Sequence, residues 1–159
     1  MLESLIEHMN TVYRNQGVAL IQKVPTAWLP IRGREGRIVS AKVDKKSGVD
    51  YMGVWQHGAI AFEAKSTMNK TRWALSNITE DQLGFLIDHR AVSCYATQFV
   101  LLGFVKLKVC YLLDIDYIQE KWNKWQCGGK ASIHVSELKR MPSLSLKYPL
   151  DYLGVLSSA

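Results

Sequence analysis

Val49-Asp50-Tyr51-Met52-Gly53-Val54-Trp55-Gln56-His57-Gly58-Ala59-Ile60-Ala61-Phe62-Glu63-Ala64-Lys65 reads as two short strands, 49–55 and 59–64, joined by a tight turn. With Gln56-His57 as the loop, Asp50 lies opposite Glu63; with His57-Gly58 as the loop, it lies opposite Lys65. Strand side chains alternate, so Glu63 and Lys65 share one face while Ile60, Phe62 and Ala64 take the other. Either register brings Asp50, Glu63 and Lys65 together. Two adjacent carboxylates repel, and a lysine in an apolar strand loses hydration, so the cluster is costly without a cation or another strong partner. Magnesium is the natural candidate. The plainer alternative is a solvated salt-bridge face, which contributes little to stability. Against it stands the run 59–64, AIAFEA, apolar on the face away from Glu63 and small at Ala61 on the face that carries it. Such a strand belongs inside a sheet.

A chain of 159 residues with 48 % hydrophobic content fits a single domain, 1–159, with a real core. The formal net charge of +6 favours a polyanionic partner. Arg32, Arg34, Arg37, Lys42, Lys45 and Lys46, set against Glu35 and Asp44, concentrate most of that excess in one short segment. Cys94, Cys110 and Cys127 are odd in number and widely spaced, which supports neither a disulfide framework nor a paired-cysteine zinc site. His8, His57, His89 and His134 show no ligand spacing. The longest apolar stretch, 99–105, is too short to cross a bilayer, and no export signal opens the chain. A soluble protein of the reducing cytoplasm is expected.

Leu2, Leu5, Ile6, Met9 and Val12 form a helical stripe that stops at Gly17, and 18–23 reads as a strand closed by Pro25. The basic segment, about 27–47, is too long for an ordinary connection, so it is either disordered or a protruding loop or hairpin, with 38–39 and 41–43 as two short strands. The polar loop after the acidic hairpin brings Lys70 and Arg72 close to the carboxylates. Thr79-Glu80-Asp81-Gln82 has the form of a capping box opening a helix. Strands are expected at 98–105 and 106–113, then a helix capped by Asp116 carrying Trp122 and Trp125, a break at Gly128-Gly129, a short helix capped by Ser136, and a tail punctuated by Pro142 and Pro149. The order describes a mixed α/β domain around a central sheet.

Laid out in this way, the chain resembles the RecU family of bacterial Holliday junction resolvases, within the PD-(D/E)xK nuclease superfamily. The resemblance runs through Leu2-Glu3, Ile6, Asn10 and Tyr13, the run Ala19-Leu20-Ile21-Gln22-Lys23-Val24-Pro25-Thr26, then Val49-Asp50-Tyr51-Met52-Gly53-Val54, Phe62-Glu63-Ala64-Lys65-Ser66-Thr67, and Leu75-Ser76-Asn77-Ile78 with Gln82. A lone ExK triplet is common; these motifs in one order are specific. The resemblance implies a restriction-endonuclease-like α/β fold, a central mixed sheet flanked by helices, with a protruding basic stalk over about 27–47. It further implies a magnesium-dependent endonuclease, with manganese able to substitute, that resolves four-way DNA junctions by paired symmetric nicks leaving 5′-phosphate ends during recombination and repair.

Residue roles follow from the same resemblance. Asp50 and Glu63 would be metal carboxylates, Gln82 a further polar ligand or water holder, and Lys65 the transition-state stabiliser. Arg32, Arg34, Arg37, Lys42, Lys45, Lys46, Lys70 and Arg72 would contact DNA. Gln82 has a simpler reading, closing the capping box with Thr79, and Glu3 one as a charge on its helix dipole. Two symmetric nicks imply a homodimer, with Trp122, Trp125 or the first helix as its apolar material, and a recombinase is a further candidate partner. The chain departs from the family pattern at Gly48, usually threonine, at Asp81, often histidine, and in lacking a basic N-terminal arm. Such departures fit a divergent or phage-borne relative. The competing functions are a non-cleaving branched-DNA-binding accessory protein and a nuclease of the same fold acting on flaps or duplex.

Overall fold

In the computed structural model, which describes residues 1–25, 28–43, 48–92 and 94–158, helices cover both faces of a six-stranded mixed sheet. The elements in chain order are α1 (Leu2–Asn15), β1 (Ala19–Lys23), β2 (Trp28–Arg32), β3 (Ile38–Val43), β4 (Tyr51–Trp55), β5 (Gly58–Thr67) and β6 (Arg72–Ala74). They continue with α2 (Glu80–Val92), β7 (Thr97–Phe104), β8 (Val109–Asp114), α3 (Ile115–Gln126), β9 (Ser132–His134), β10 (Ser143–Ser145) and α4 (Tyr152–Ser157). The main sheet runs β1-β4-β5-β7-β8-β10, and β5 with β7 is its parallel pair, joined by the α2 crossover. Among the described residues, no helix is long and apolar enough to cross a membrane.

Alternation along β5 divides the core in two. Ile60 and Phe62 pack with Leu2, Ile6, Met9 and Tyr13 of α1 and with Tyr152 and Leu153 of α4. Ala61 faces the other cluster, with Leu83 and Leu86 of α2 and Ile115 and Ile118 of α3. The apolar stripe of α1 is thus taken up by its own sheet. Trp55 pairs with Gly58, so the loop is Gln56-His57, and Tyr51 stands opposite Phe62. Gly53 is required for the close approach of β1 to β4: a Cβ there would lie 2.1 Å from the Leu20 carbonyl oxygen.

Tyr51, Phe62 and Phe99 are cross-strand neighbours on β4, β5 and β7 and form a continuous stack. Ring centroids lie 4.9 and 4.7 Å apart with planes within 12° and 10°. The rings pin the register of the strands that carry the acidic residues.

Several boundaries differ from the sequence expectation. Residues 38–43 are one strand, not two, paired with Trp28–Arg32 as a separate two-stranded sheet. The chain bends at Gly48 and Asp50, and Val49 is buried in the α2-side core instead of opening β4. A short 3-10 turn at Val105–Leu107 delays β8 to Val109. Asp114, not Asp116, caps α3: its carboxylate accepts the Asp116 N–H. His134 and Glu137, not Ser136, form the cap of the 3-10 turn at Val135–Leu138. The tail contributes β10 and α4.

Phe62→Ala should cost about 3–5 kcal/mol in urea unfolding, because it empties the middle of the aromatic stack within a fully buried site.

Candidate active site

β4 and β5 run side by side from the Gln56-His57 turn until Tyr51 and Phe62, and there the β4 chain bends away. At this fork side chains take over from the backbone ladder. The Asp50 carboxylate Oδ2 accepts the Ala64 N–H at 3.0 Å, while the Asp50 N–H donates to Glu63 Oε2 at 3.1 Å. The Val24 N–H donates to the Asp50 carbonyl at 2.8 Å, tying the bend to the end of β1. Asp50 is therefore fixed through its N–H, its carbonyl and its carboxylate.

Glu63 is fully buried, at 0 % exposure. Besides the Asp50 N–H, it receives Lys65 Nζ at 2.7 Å and Gln82 Nε2 at 2.5 Å, both on Oε1. Gln82 Oε1 in turn accepts the Thr79 N–H at 3.0 Å and Lys65 Nζ at 3.3 Å, and the Gln82 N–H donates to Thr79 Oγ1 at 3.2 Å. Gln82 therefore closes the capping box and holds Glu63 at once. Its amide orientation follows from the backbone donor: with Oε1 on the Thr79 N–H, the NH2 group faces the carboxylate.

Burial pushes the Glu63 carboxyl up to about 7; the Lys65 ammonium opposes this shift and the Asp50 carboxylate adds to it. The three donors hold the group in place without restoring an ordinary glutamate acidity, so a further cation would be favoured there. Two carboxylates, one of them dry and prearranged, fit magnesium, which commonly takes one or two protein carboxylates and fills its remaining positions with water and substrate phosphate. Among the described residues no group of three His, Cys, Asp or Glu side chains is arranged to hold a metal. Two carboxylates would leave most positions of such an ion to water and substrate.

The structure brings together Asp50, Glu63, Lys65 and Gln82. Lys70 and Arg72 are exposed on the segment that follows β5, where the Asn69 carboxamide oxygen accepts from the N–H groups of Thr71 and Arg72. Arg32, Arg34, Arg37 and Lys42 are exposed on the β2-β3 hairpin, which belongs to a different sheet from the carboxylates. Lys45 and Lys46 fall outside the described residues. Glu3 sits in the first turn of α1 and pairs with Lys23 at 2.5 Å, so it has an ion-pair partner besides the helix dipole. A Cβ on Gly48 would lie 2.6 Å from the Phe85 ring, so the threonine that the resemblance leads one to expect there would displace Phe85. Sequence reading misses Val24 and Ala64 as backbone donors, which leave no trace in the residues; Thr79 is legible in the capping-box spacing with Gln82.

The folded state keeps a proton on Glu63 up to about pH 7, whereas an unfolded chain releases it near pH ~4.3. Metal-free protein should therefore lose on the order of 3 kcal/mol of stability as pH rises through that window, and little more above it. Urea unfolding in EDTA measures the slope, and Glu63→Gln should flatten it.

The chain matches the profile of the family described as Recombination protein U over residues 1–158. It is 33 % identical to the protein named Holliday junction resolvase RecU of Geobacillus kaustophilus (strain HTA426), over 99 % of this chain and 82 % of that one. Its counterpart of the same name in Bacillus cereus (strain G9842) is 32 % identical with the same coverage. The solved structure of the Holliday junction resolvase Hjc of Archaeoglobus fulgidus is matched at TM-score 0.45 and 11 % identity, over 72 % of this chain and 77 % of that chain. By its profile match and by identity along nearly its whole length, the chain belongs to the Recombination protein U family.

Proposed function

We propose that this chain is a divalent-metal-dependent endonuclease that resolves four-way DNA junctions by paired nicks. The observation that carries the proposal is the fork at which Asp50 and the buried Glu63 converge with Lys65, in a family whose relatives are named as resolvases. Asp50 and Glu63 are the residues to hold magnesium, with manganese as substitute. When bound, the ion supplies charge against the scissile phosphate and lowers the pKa of the attacking water.

The remaining chemistry falls to the chain's own groups. Lys65, 19 % exposed and hydrogen-bonded to Glu63, reaches the site as a cation that neutralises charge developing on the phosphate or orients the water. Gln82 acts as the donor that keeps Glu63 in place; serving as a ligand would require its amide to leave Thr79 and turn. Arg32, Arg34, Arg37 and Lys42 on the hairpin, with Lys70 and Arg72 near the end of β5, contact phosphates and read shape, not base edges. Two nicks of opposite strands need two sites, so the working unit is a homodimer in the cytoplasm, with a recombinase as a further partner.

Purified protein given synthetic four-way junction, flap and linear duplex, with magnesium or EDTA, tests this reading directly. Magnesium-dependent paired nicks of the junction are expected; binding without cleavage would make it an accessory protein, and preference for flaps or duplex would change the substrate. Asp50→Asn and Lys65→Ala should each abolish cleavage and leave junction binding, by gel shift, within a few-fold. Replacing Arg32, Arg34, Arg37 and Lys42 together by alanine should remove the preference for junction over duplex. It should also flatten the salt dependence of binding, by up to about 0.9 in the log–log slope for each phosphate no longer neutralised.

A further inference from the structure

Gly48 stands two residues before Asp50, at the first bend of the segment that leads into β4. A Cβ built on it would lie 2.6 Å from Cδ2, 2.8 Å from Cγ and 3.2 Å from Cε2 of Phe85. These atoms include the root of the ring, so the clash cannot be relieved by a small swing of a flexible tip. The ring also has an anchored neighbour on its own helix. It stacks on His89 one turn later in α2, with centroids 6.2 Å apart and planes 27° from parallel, and His89 Nδ1 lies 2.9 Å from Nε2 of the buried Gln98 on β7.

Gln82 and Phe85 are three residues apart on α2 and so lie on neighbouring positions of one helix surface. The first grips Glu63; the second presses on the backbone that delivers Asp50. Val49, between Gly48 and Asp50, is buried with Leu83 and Leu86 of the same helix. One rigid element thereby braces both carboxylates.

We infer that Phe85 is a positioning residue of the metal centre: seated against Gly48, its ring fixes the bend that aims Asp50 and so sets the Asp50 to Glu63 spacing required by a divalent ion. The inference rests on the reading of Asp50 and Glu63 as metal carboxylates. It requires glycine at 48 for as long as phenylalanine stands at 85, and it makes the two positions energetically coupled.

The test is Mn2+ binding without DNA, followed by the loss of the free-ion EPR signal, alongside urea unfolding of the metal-free protein. Gly48→Ala and Phe85→Leu should each weaken Mn2+ binding about tenfold, as loss of support behind a ligand does, with larger effects than on unfolding midpoints. In a Phe85→Ala background, Gly48→Ala should change affinity less than twofold, because the clash is gone. Phe85→Leu keeps an apolar side chain against the core and serves if Gly48→Ala does not fold. Unchanged affinity in Phe85→Leu, or strictly additive effects at 48 and 85, would overturn the inference. Asp50→Asn separates the two levels: if it abolishes binding while the 48 and 85 variants bind normally, only the Phe85 inference fails. If Asp50→Asn binds as tightly as the unaltered chain, the carboxylate reading fails and this inference with it.

Discussion

A carboxylate with no solvent contact must be met by donors or give up its charge, and Glu63 is met by three: the Asp50 N–H, Lys65 and Gln82. That constraint organises the molecule. β5 lies inside the sheet between β4 and β7, with the α2-side core on the face that carries Glu63. Phe62, the preceding residue, points the opposite way into the aromatic stack with Tyr51 and Phe99. Adjacent positions on one strand therefore perform complementary tasks. The apolar face locks the strand in register, and the polar face presents a dry acid whose partners come from β5 itself, from the bend before β4 and from α2. The donors leave the group short of full charge compensation, since burial still outweighs the lysine beside it. The proposed divalent ion would bring what the protein groups do not.

Much of this could be read from the residues. Alternation alone put Glu63 and Lys65 on one face and Phe62 on the other, and the Thr79-x-x-Gln82 spacing located the start of α2. The loop was left open between Gln56-His57 and His57-Gly58 because both supply a turn; the Trp55 to Gly58 pairing settles it through packing that local sequence does not contain. Gln82 fits the sequence pattern both as a cap and as a metal ligand; its Oε1 takes the Thr79 N–H of the cap and its NH2 group holds Glu63. Asp114 and Asp116 are equally good caps by type, and only the direction of one hydrogen bond chooses Asp114. Val49 broke the expected strand because α2 offers it a buried site, a tertiary effect with no periodic signature. The seating of Phe85 on Gly48 was illegible for the same reason, and three-residue strands such as β9 and β10 are too short to show a period.

The β2-β3 hairpin stands apart from this economy of burial. A two-stranded sheet has little stability of its own in water, yet Leu29, Ile31, Ile38 and Val39 are exposed on it beside Arg32, Arg34, Arg37 and Lys42. Apolar and cationic groups exposed together on one hairpin would suit a surface that is both charged and partly unstacked. The proposed branched DNA has that character, and under that proposal the hairpin would recognise shape while the sheet fork would hold the chemistry.

The proposed chemistry depends on divalent metal bound between Asp50 and Glu63. Diffraction from a crystal soaked in Mn2+, collected to reveal anomalous scattering, would locate it. A single or paired peak is expected, with an oxygen of each of the two carboxylates at about 2.0–2.6 Å, a range spanning Mg2+ and Ca2+ distances to oxygen. A map with no peak there, and with Asp50 and Glu63 turned away from each other, would contradict the metal centre.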